Sequence, residues 1–126
     1  MAKYKNKKVC VNDLQFDSKK EANRYIQLLE KQRNGEISHL QTQVKYVLIP
    51  AQYETYERYG KLGQKLKNGR ILIERECSYI ADFVYIENGE TVVEDVKGYK
   101  RAGAYALFSI KRKLLLYLKG IKIKEV

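Results

Sequence analysis

Apolar and polar residues alternate near both ends of this chain, and apolar residues recur with helical spacing in two stretches between them. Val9-Cys10-Val11 and Leu14-Gln15-Phe16 read as two short strands, with Asn12-Asp13 as the turn of a hairpin over 8–16. Asp17-Ser18 then opens a helix. Ser18-Lys19-Lys20-Glu21 has the form of a capping box, Ala22, Tyr25, Ile26 and Leu29 follow with helical spacing, and Asn34-Gly35 is a stop signal. A strand is predicted from about Ser38 to Ile49, with Leu40, Val44, Tyr46, Val47 and Leu48 as its apolar positions, and Pro50 ends it. Residues 51–69 carry Gln, Tyr, Glu, Lys and Gly with no steady apolar period, which predicts a long surface insertion in loop form. Strands return at 70–77 and 78–87, Asn88-Gly89 is a strong hairpin turn, and 90–97 is the partner strand. A basic, glycine-containing loop at 98–103 leads to a helix at 104–118, with Leu107, Ile110, Leu114 and Tyr117 on one face. Gly120 caps it, and Ile121-Lys122-Ile123-Lys124 alternates as a last strand. The expected order is ββ-α-β-β-β-β-α-β, an α/β domain over 1–126 without repeats or linkers.

Composition adds a partner class. Lys and Arg total 25 against 15 acids in 126 residues, a net charge of +10. That excess favours a polyanionic partner, and by itself does not separate an enzyme from a binding protein. His39 is the only histidine, which removes most histidine-based hydrolases and two-histidine metal motifs. Cys10 and Cys77 form neither a zinc pattern nor a disulfide framework, so free thiols in a reducing compartment are expected. The start Met1-Ala2-Lys3-Tyr4-Lys5 is polar and no apolar run approaches a membrane span, so a soluble, cytoplasmic protein is expected.

The candidate chemistry lies where charge interrupts strand patterns. Asp82 sits within Tyr79-Ile80-Ala81-Asp82-Phe83-Val84-Tyr85, and Asp95 and Lys97 within Val92-Val93-Glu94-Asp95-Val96-Lys97-Gly98. Alternation puts Asp95 and Lys97 on one face and Val96 on the other. Two carboxylates and the Val96 carbonyl suit a hard cation such as Mg²⁺, and Lys97 can orient a water and neutralise charge at a phosphorus. The competing reading is a set of cross-strand ion pairs on a solvated sheet face. Glu94, on the opposite face, reads as structural or as a secondary ligand. Glu21 has two open roles, closing the capping box or donating a further ligand from the first helix.

Three strings together resemble the PD-(D/E)xK nuclease superfamily, and within it a small phage-encoded family. They are Phe16-Asp17-Ser18-x-x-Glu21-Ala22-x-Arg24-Tyr25, then Ala81-Asp82-Phe83, then Val93-Glu94-Asp95-Val96-Lys97-Gly98. The resemblance runs from about Phe16 to Lys113. Ala81 stands where the superfamily motif often has proline. The resemblance implies a restriction-endonuclease-like αβββαβ core, a mixed sheet flanked by helices, with the N-terminal hairpin and the basic insertion added. It implies Mg²⁺- or Mn²⁺-dependent DNA cleavage, with Glu21, Asp82, Asp95 and Lys97 as catalytic residues and Glu21, Asp82, Asp95 and Val96 around the metal. Holliday junction resolvases are among the similar proteins. Branched duplex DNA, a homodimer making paired cuts, and action in a bacterial host cell are therefore expected.

Basic residues extend the site. Lys100, Arg101, Lys111, Arg112 and Lys113 fall beside it in sequence, and Lys61, Lys65 and Lys67 lie in the insertion. The lysines read as phosphate contacts. Tyr53, Tyr56 and Tyr59 read either as local packing, the favoured reading, or as base-stacking platforms. The alternative function is a nucleic-acid-binding accessory protein that keeps the fold and does not cut.

Overall fold

The computed structural model describes residues 8–97 and 102–126. Its elements are β1 (Val9–Val11), β2 (Leu14–Phe16), α1 (Lys19–Arg33), β3 (Ser38–Ile49), β4 (Gln52–Tyr59), β5 (Lys65–Glu74), β6 (Cys77–Glu87), β7 (Glu90–Asp95), α2 (Ala102–Lys119) and β8 (Ile123–Glu125). Two tight hairpin turns follow directly from residue type. A two-residue turn that matches strand twist needs positive φ at both central positions. Asn12 and Asp13 supply φ 51° and 65°, and Asn88 and Gly89 supply 52° and 77°.

β3, β6, β7 and β8 form one mixed sheet in that order. β3 and β7 both run antiparallel to β6, while β8 runs parallel to β7, so α2 is the crossover between them. The two helices flank the sheet, each over its own core. Phe16, Ala22, Tyr25, Leu28 and Ile37 meet Phe83 and Tyr85 on the α1 side. Phe108 and Leu115 of α2 meet Leu48, Tyr79, Ala81, Val84, Val93 and Ile123 on the other. Among the described residues no helix is long and apolar enough to cross a membrane.

Four expectations are corrected. The insertion at 51–69 is not a loop: β4 and β5 make a regular antiparallel ribbon. The strand expected at 70–77 divides, because 70–74 completes that ribbon and β6 begins at Cys77. On α2, the core takes Phe108 and Leu115, with Tyr105 and Leu114 partly buried against them. Leu107 and Ile110 stay more than half exposed and Tyr117 is 86% exposed. Similarly on α1, Leu28 is fully buried while Ile26 is half exposed.

One polar network ties α1 to the sheet. Glu94 is fully buried on the α1 side, where Arg24 donates from Nε at 2.9 Å and from Nη2 at 2.6 Å, and the Tyr85 hydroxyl donates to the same carboxylate. Burial works against the charged form of Glu94, and these hydrogen bonds outweigh it, holding its pKa below the ordinary value. The structural reading of Glu94 is therefore the one the contacts support. Arg24→Ala leaves that carboxylate buried without its cation and is expected to cost about 3 kcal/mol in urea denaturation, far more than an exposed substitution such as Arg33→Ala.

Candidate functional site

The site begins with a break in strand alternation. Tyr79 and Ala81 face α2, yet Phe83 and Tyr85 face α1. Strict alternation would hold all four on one face, so β6 changes face at Asp82. β3 does the same: Leu40 packs on the α1 side, and Val44, Tyr46 and Leu48 on the α2 side. Gln43, bracketed by the pairs Thr42–Phe83 and Val44–Ala81, has φ 53°, a conformation uncommon for residues other than glycine.

β6 and β7 part at the same level. Their paired register ends at Phe83–Glu94. Beyond it the Asp82 side chain reaches across, and its Oδ2 accepts the Val96 N–H at 2.8 Å. β7 is held from its other side, with Lys97 N donating to Val126 O and Val126 N to Asp95 O, both at 2.9 Å. This fixes Asp95 and Lys97 on one face, as alternation predicts. Lys97 Nζ lies 2.5 Å from Asp95 Oδ2 and over the Phe108 ring, 3.1 Å from its centroid. The Tyr79 hydroxyl donates to Asp95 Oδ1 at 2.8 Å. Burial, then the charge of Asp95 and this hydrogen bond, raise the Tyr79 pKa, so the phenol remains a donor. Val96 turns its side chain to the α1 core.

Glu21 enters from α1. Ser18 caps the helix by accepting the Glu21 N–H at 3.2 Å, but the Glu21 carboxylate turns away from the cap and accepts from Gln43 Nε2 at 3.0 Å. It is 7% exposed. Burial, then repulsion from Asp82 and Asp17, with a smaller contribution from Asp95, pushes its pKa up to about 7, against the Gln43 hydrogen bond. Burial likewise raises Asp82 to about 6; the Val96 N–H and Lys97 oppose the rise, and Asp95 and Asp17 add to it. Glu21, Asp82 and Asp95 thus act on one another through space. Three residues that the strings alone left unassigned shape the site: Gln43, Tyr79 and Asp17. Asp17 carried a visible signal, next to the Ser18 cap. Gln43 and Tyr79 act through strand pairing, which local pattern does not reveal.

Glu21, Asp82 and Asp95 are oxygen donors of the kind a hard divalent cation takes. Among the described residues no three His, Cys, Asp or Glu side chains close into a ready cage. Asp95 is engaged by Lys97 and Tyr79, and Asp82 by the Val96 amide.

The basic residues distribute differently from their sequence grouping. Lys111 lines a cleft with Tyr79 and Phe108, the residues that contact Asp95 and Lys97. Lys113 lines another cleft with Ile121 and Lys122, and Arg112 pairs with Glu125 at 3.3 Å. Lys61 lies in the turn of the ribbon, and Lys65 and Lys67 on β5. Among the described residues no helix or other strand packs substantially on β4 or β5. Lys100 and Arg101 lie outside the described residues.

Fold and site define a small mixed α/β domain with a carboxylate–lysine cluster where a hairpin opens. The chain belongs to the DUF1064 family, described as a protein of unknown function, whose model matches residues 1–124. No curated protein and no solved structure matches it.

The raised carboxyl groups have a consequence for stability. Glu21 and Asp82 bind protons more tightly folded than unfolded. Their contribution is therefore complete below the ordinary carboxylate range and is lost as pH rises through about 6 for Asp82 and about 7 for Glu21. In metal-free buffer, Glu21→Gln is expected to melt higher than wild type at pH 8, with the gap closing toward pH 5. Parallel melting curves at every pH would contradict this.

Proposed function

We propose that this protein is a metal-dependent DNA endonuclease of the PD-(D/E)xK type, acting on branched duplex DNA in the manner of Holliday junction resolvases. The observation that carries the reading is the placing of Asp82 on the Val96 amide and of Lys97 on Asp95 where the pairing of β6 and β7 ends, with the Glu21 carboxylate of α1 held by Gln43 of the neighbouring strand. The element order around it, α1-β3-β6-β7-α2-β8 with the ribbon as an excursion, supports a restriction-endonuclease-like αβββαβ core.

Asp82 and Asp95 hold Mg²⁺ or Mn²⁺ in this reading, with Glu21 as a further ligand and the Val96 carbonyl beside them. A bound divalent cation polarises a phosphoryl oxygen and acidifies water. Lys97 then neutralises charge developing on the phosphoryl group and orients the attacking water. Tyr79 holds Asp95 in place throughout, and Phe108 gives Lys97 an aromatic face to rest on. Lys111 contacts phosphate from the adjoining cleft. Apolar residues that α2 leaves exposed on one side, Leu107, Ile110, Tyr117 and Leu118, supply a face for the homodimer that paired cuts require.

A second reading is a DNA-binding accessory protein that does not cut. The closed Asp95–Lys97 ion pair favours it. Cleavage of four-way junctions and linear duplexes with Mg²⁺ separates the two. Asp82→Asn and Asp95→Asn are expected to abolish cleavage while metal-free DNA binding holds or tightens, because negative charge facing phosphate is removed. Lys97→Ala is expected to lower single-turnover cleavage by about 100-fold or more, and Lys97→Arg to restore it only in part. Junction binding by wild type with no cleavage in Mg²⁺ or Mn²⁺ would decide for the accessory protein.

Glu21→Gln isolates the third ligand. Because the carboxylate faces Gln43 and not the cap, this variant is expected to keep its helix and lose most of its cleavage at saturating DNA. Undiminished cleavage by Glu21→Gln would leave Asp82 and Asp95 as the only side-chain ligands.

A further inference from the structure

The β4–β5 ribbon is the element whose construction the fold leaves unexplained. A two-stranded ribbon is marginal in water unless something else packs on it. β4 spans 8 residues, about 26 Å at strand rise, is exposed along its whole length, and among the described residues no helix or other strand covers it substantially. Its surface combines aromatic, cationic and acidic groups, with Lys65 Nζ 3.8 Å from Glu57 and Lys61 and Lys67 making no such pair among the described residues. Strand alternation separates the three tyrosines, so Tyr53 and Tyr59 share a face while Tyr56 lies on the other and packs across Gly69. The guanidinium of Arg70 stacks over Tyr53 at 3.9 Å from the ring centroid. Any side chain at Gly69 would collide with the Tyr56 ring, with a Cβ only 2.2 Å from its nearest atom.

The tip is built to present one apolar side chain. Gly60 N donates to Gln64 O at 2.8 Å, Gly63 N to Gly60 O at 3.0 Å, and the Gln64 side chain folds back to accept the Leu62 N–H at 3.1 Å. Gly63, at φ 84°, makes the turn possible. Leu62 stands at the apex, 93% exposed, in a segment that also carries Lys61, Lys65 and Lys67. An apolar residue so exposed on an ordered tip, among cations, matches the wedges that proteins insert between base pairs while lysines hold the flanking phosphates. A ribbon of two strands also has the width of a duplex groove.

We infer that the β4–β5 ribbon is a DNA-gripping arm whose apex residue, Leu62, wedges between stacked bases while Lys61, Lys65 and Lys67 bind the phosphates on either side. The occupant is duplex nucleic acid near a branch point, where unstacking costs least. The inference rests on the DNA reading above and is independent of cleavage. It assigns to Leu62 the local distortion of the substrate, and to the lysines affinity without sequence information.

The test uses the full chain in EDTA, so that cutting plays no part. Duplexes and four-way junctions carry 2-aminopurine at successive positions; anisotropy reports binding and fluorescence reports unstacking. Wild type is expected to bind and to raise fluorescence at one or two positions. Leu62→Ala is expected to lose that rise and about tenfold in affinity, and Leu62→Phe to keep the rise. Replacing Lys61, Lys65 and Lys67 with Ala is expected to weaken binding and cut the salt slope by up to about 3, with the fluorescence rise intact at saturation. Wild-type binding without unstacking, or unstacking unchanged in Leu62→Ala, overturns the wedge while the DNA reading stands. Absence of DNA binding by wild type overturns both. Loss of dimer in Leu62→Ala without DNA, or of binding to anionic vesicles with unstacking unchanged, would reassign the tip to a protein or lipid contact.

Discussion

The hydrogen bond from the Val96 amide to Asp82 governs this molecule. Two paired strands cannot separate inside a domain without leaving backbone groups unsatisfied, and each such group costs as much as a lost hydrogen bond. Here a carboxylate takes the place of a strand carbonyl. The exchange lets β6 and β7 diverge, brings Asp82 level with Asp95 and Lys97, and coincides with the change of face in β6 and β3. The core on the α2 side supplies Tyr79 and Phe108 to hold Asp95 and Lys97. The core on the α1 side carries Glu21 in, with Arg24 and Glu94 fastening the helix to the sheet beneath.

Electrostatics then gives the cluster its character. Burial raises the pKa values of Glu21 and Asp82 toward neutrality, with repulsion from Asp82, Asp17 and Asp95 adding to the rise at Glu21 and from Asp95 and Asp17 at Asp82. Glu94, three residues from Lys97 on the same strand system, goes the opposite way because Arg24 and Tyr85 satisfy it. The contrast separates a carboxylate that fastens the fold from carboxylates that lack a matching cation. Groups with perturbed pKa values concentrate where chemistry is done.

Much of this was legible in the chain. Asn12-Asp13 and Asn88-Gly89 announced their turns because so few residues tolerate positive φ. Asp95 and Lys97 fell on one face because strand alternation is local. The ribbon was missed as strand because both its faces meet solvent, and a strand without a buried face shows no contrast between apolar and polar positions. The apolar face of α2 was misassigned for the opposite reason: the helix carries more apolar residues than one core takes up, and Leu107, Ile110 and Tyr117 lie on the solvent side. The roles of Gln43 and Tyr79 depend on pairings between segments far apart in sequence, which no periodicity encodes. Glu21 was ambiguous until its carboxylate was placed against Gln43 and not against the cap.

Cleavage, in this reading, depends on Glu21, Asp82 and Asp95 taking up a divalent cation. A crystal structure with Mn²⁺, read through its anomalous scattering, addresses it directly. The account predicts a peak about 2.1 Å from carboxylate oxygens of both Asp82 and Asp95, with the Lys97 ammonium displaced from Asp95. A saturating soak that leaves the Asp95–Lys97 pair closed, with no peak between the two carboxylates, would contradict it.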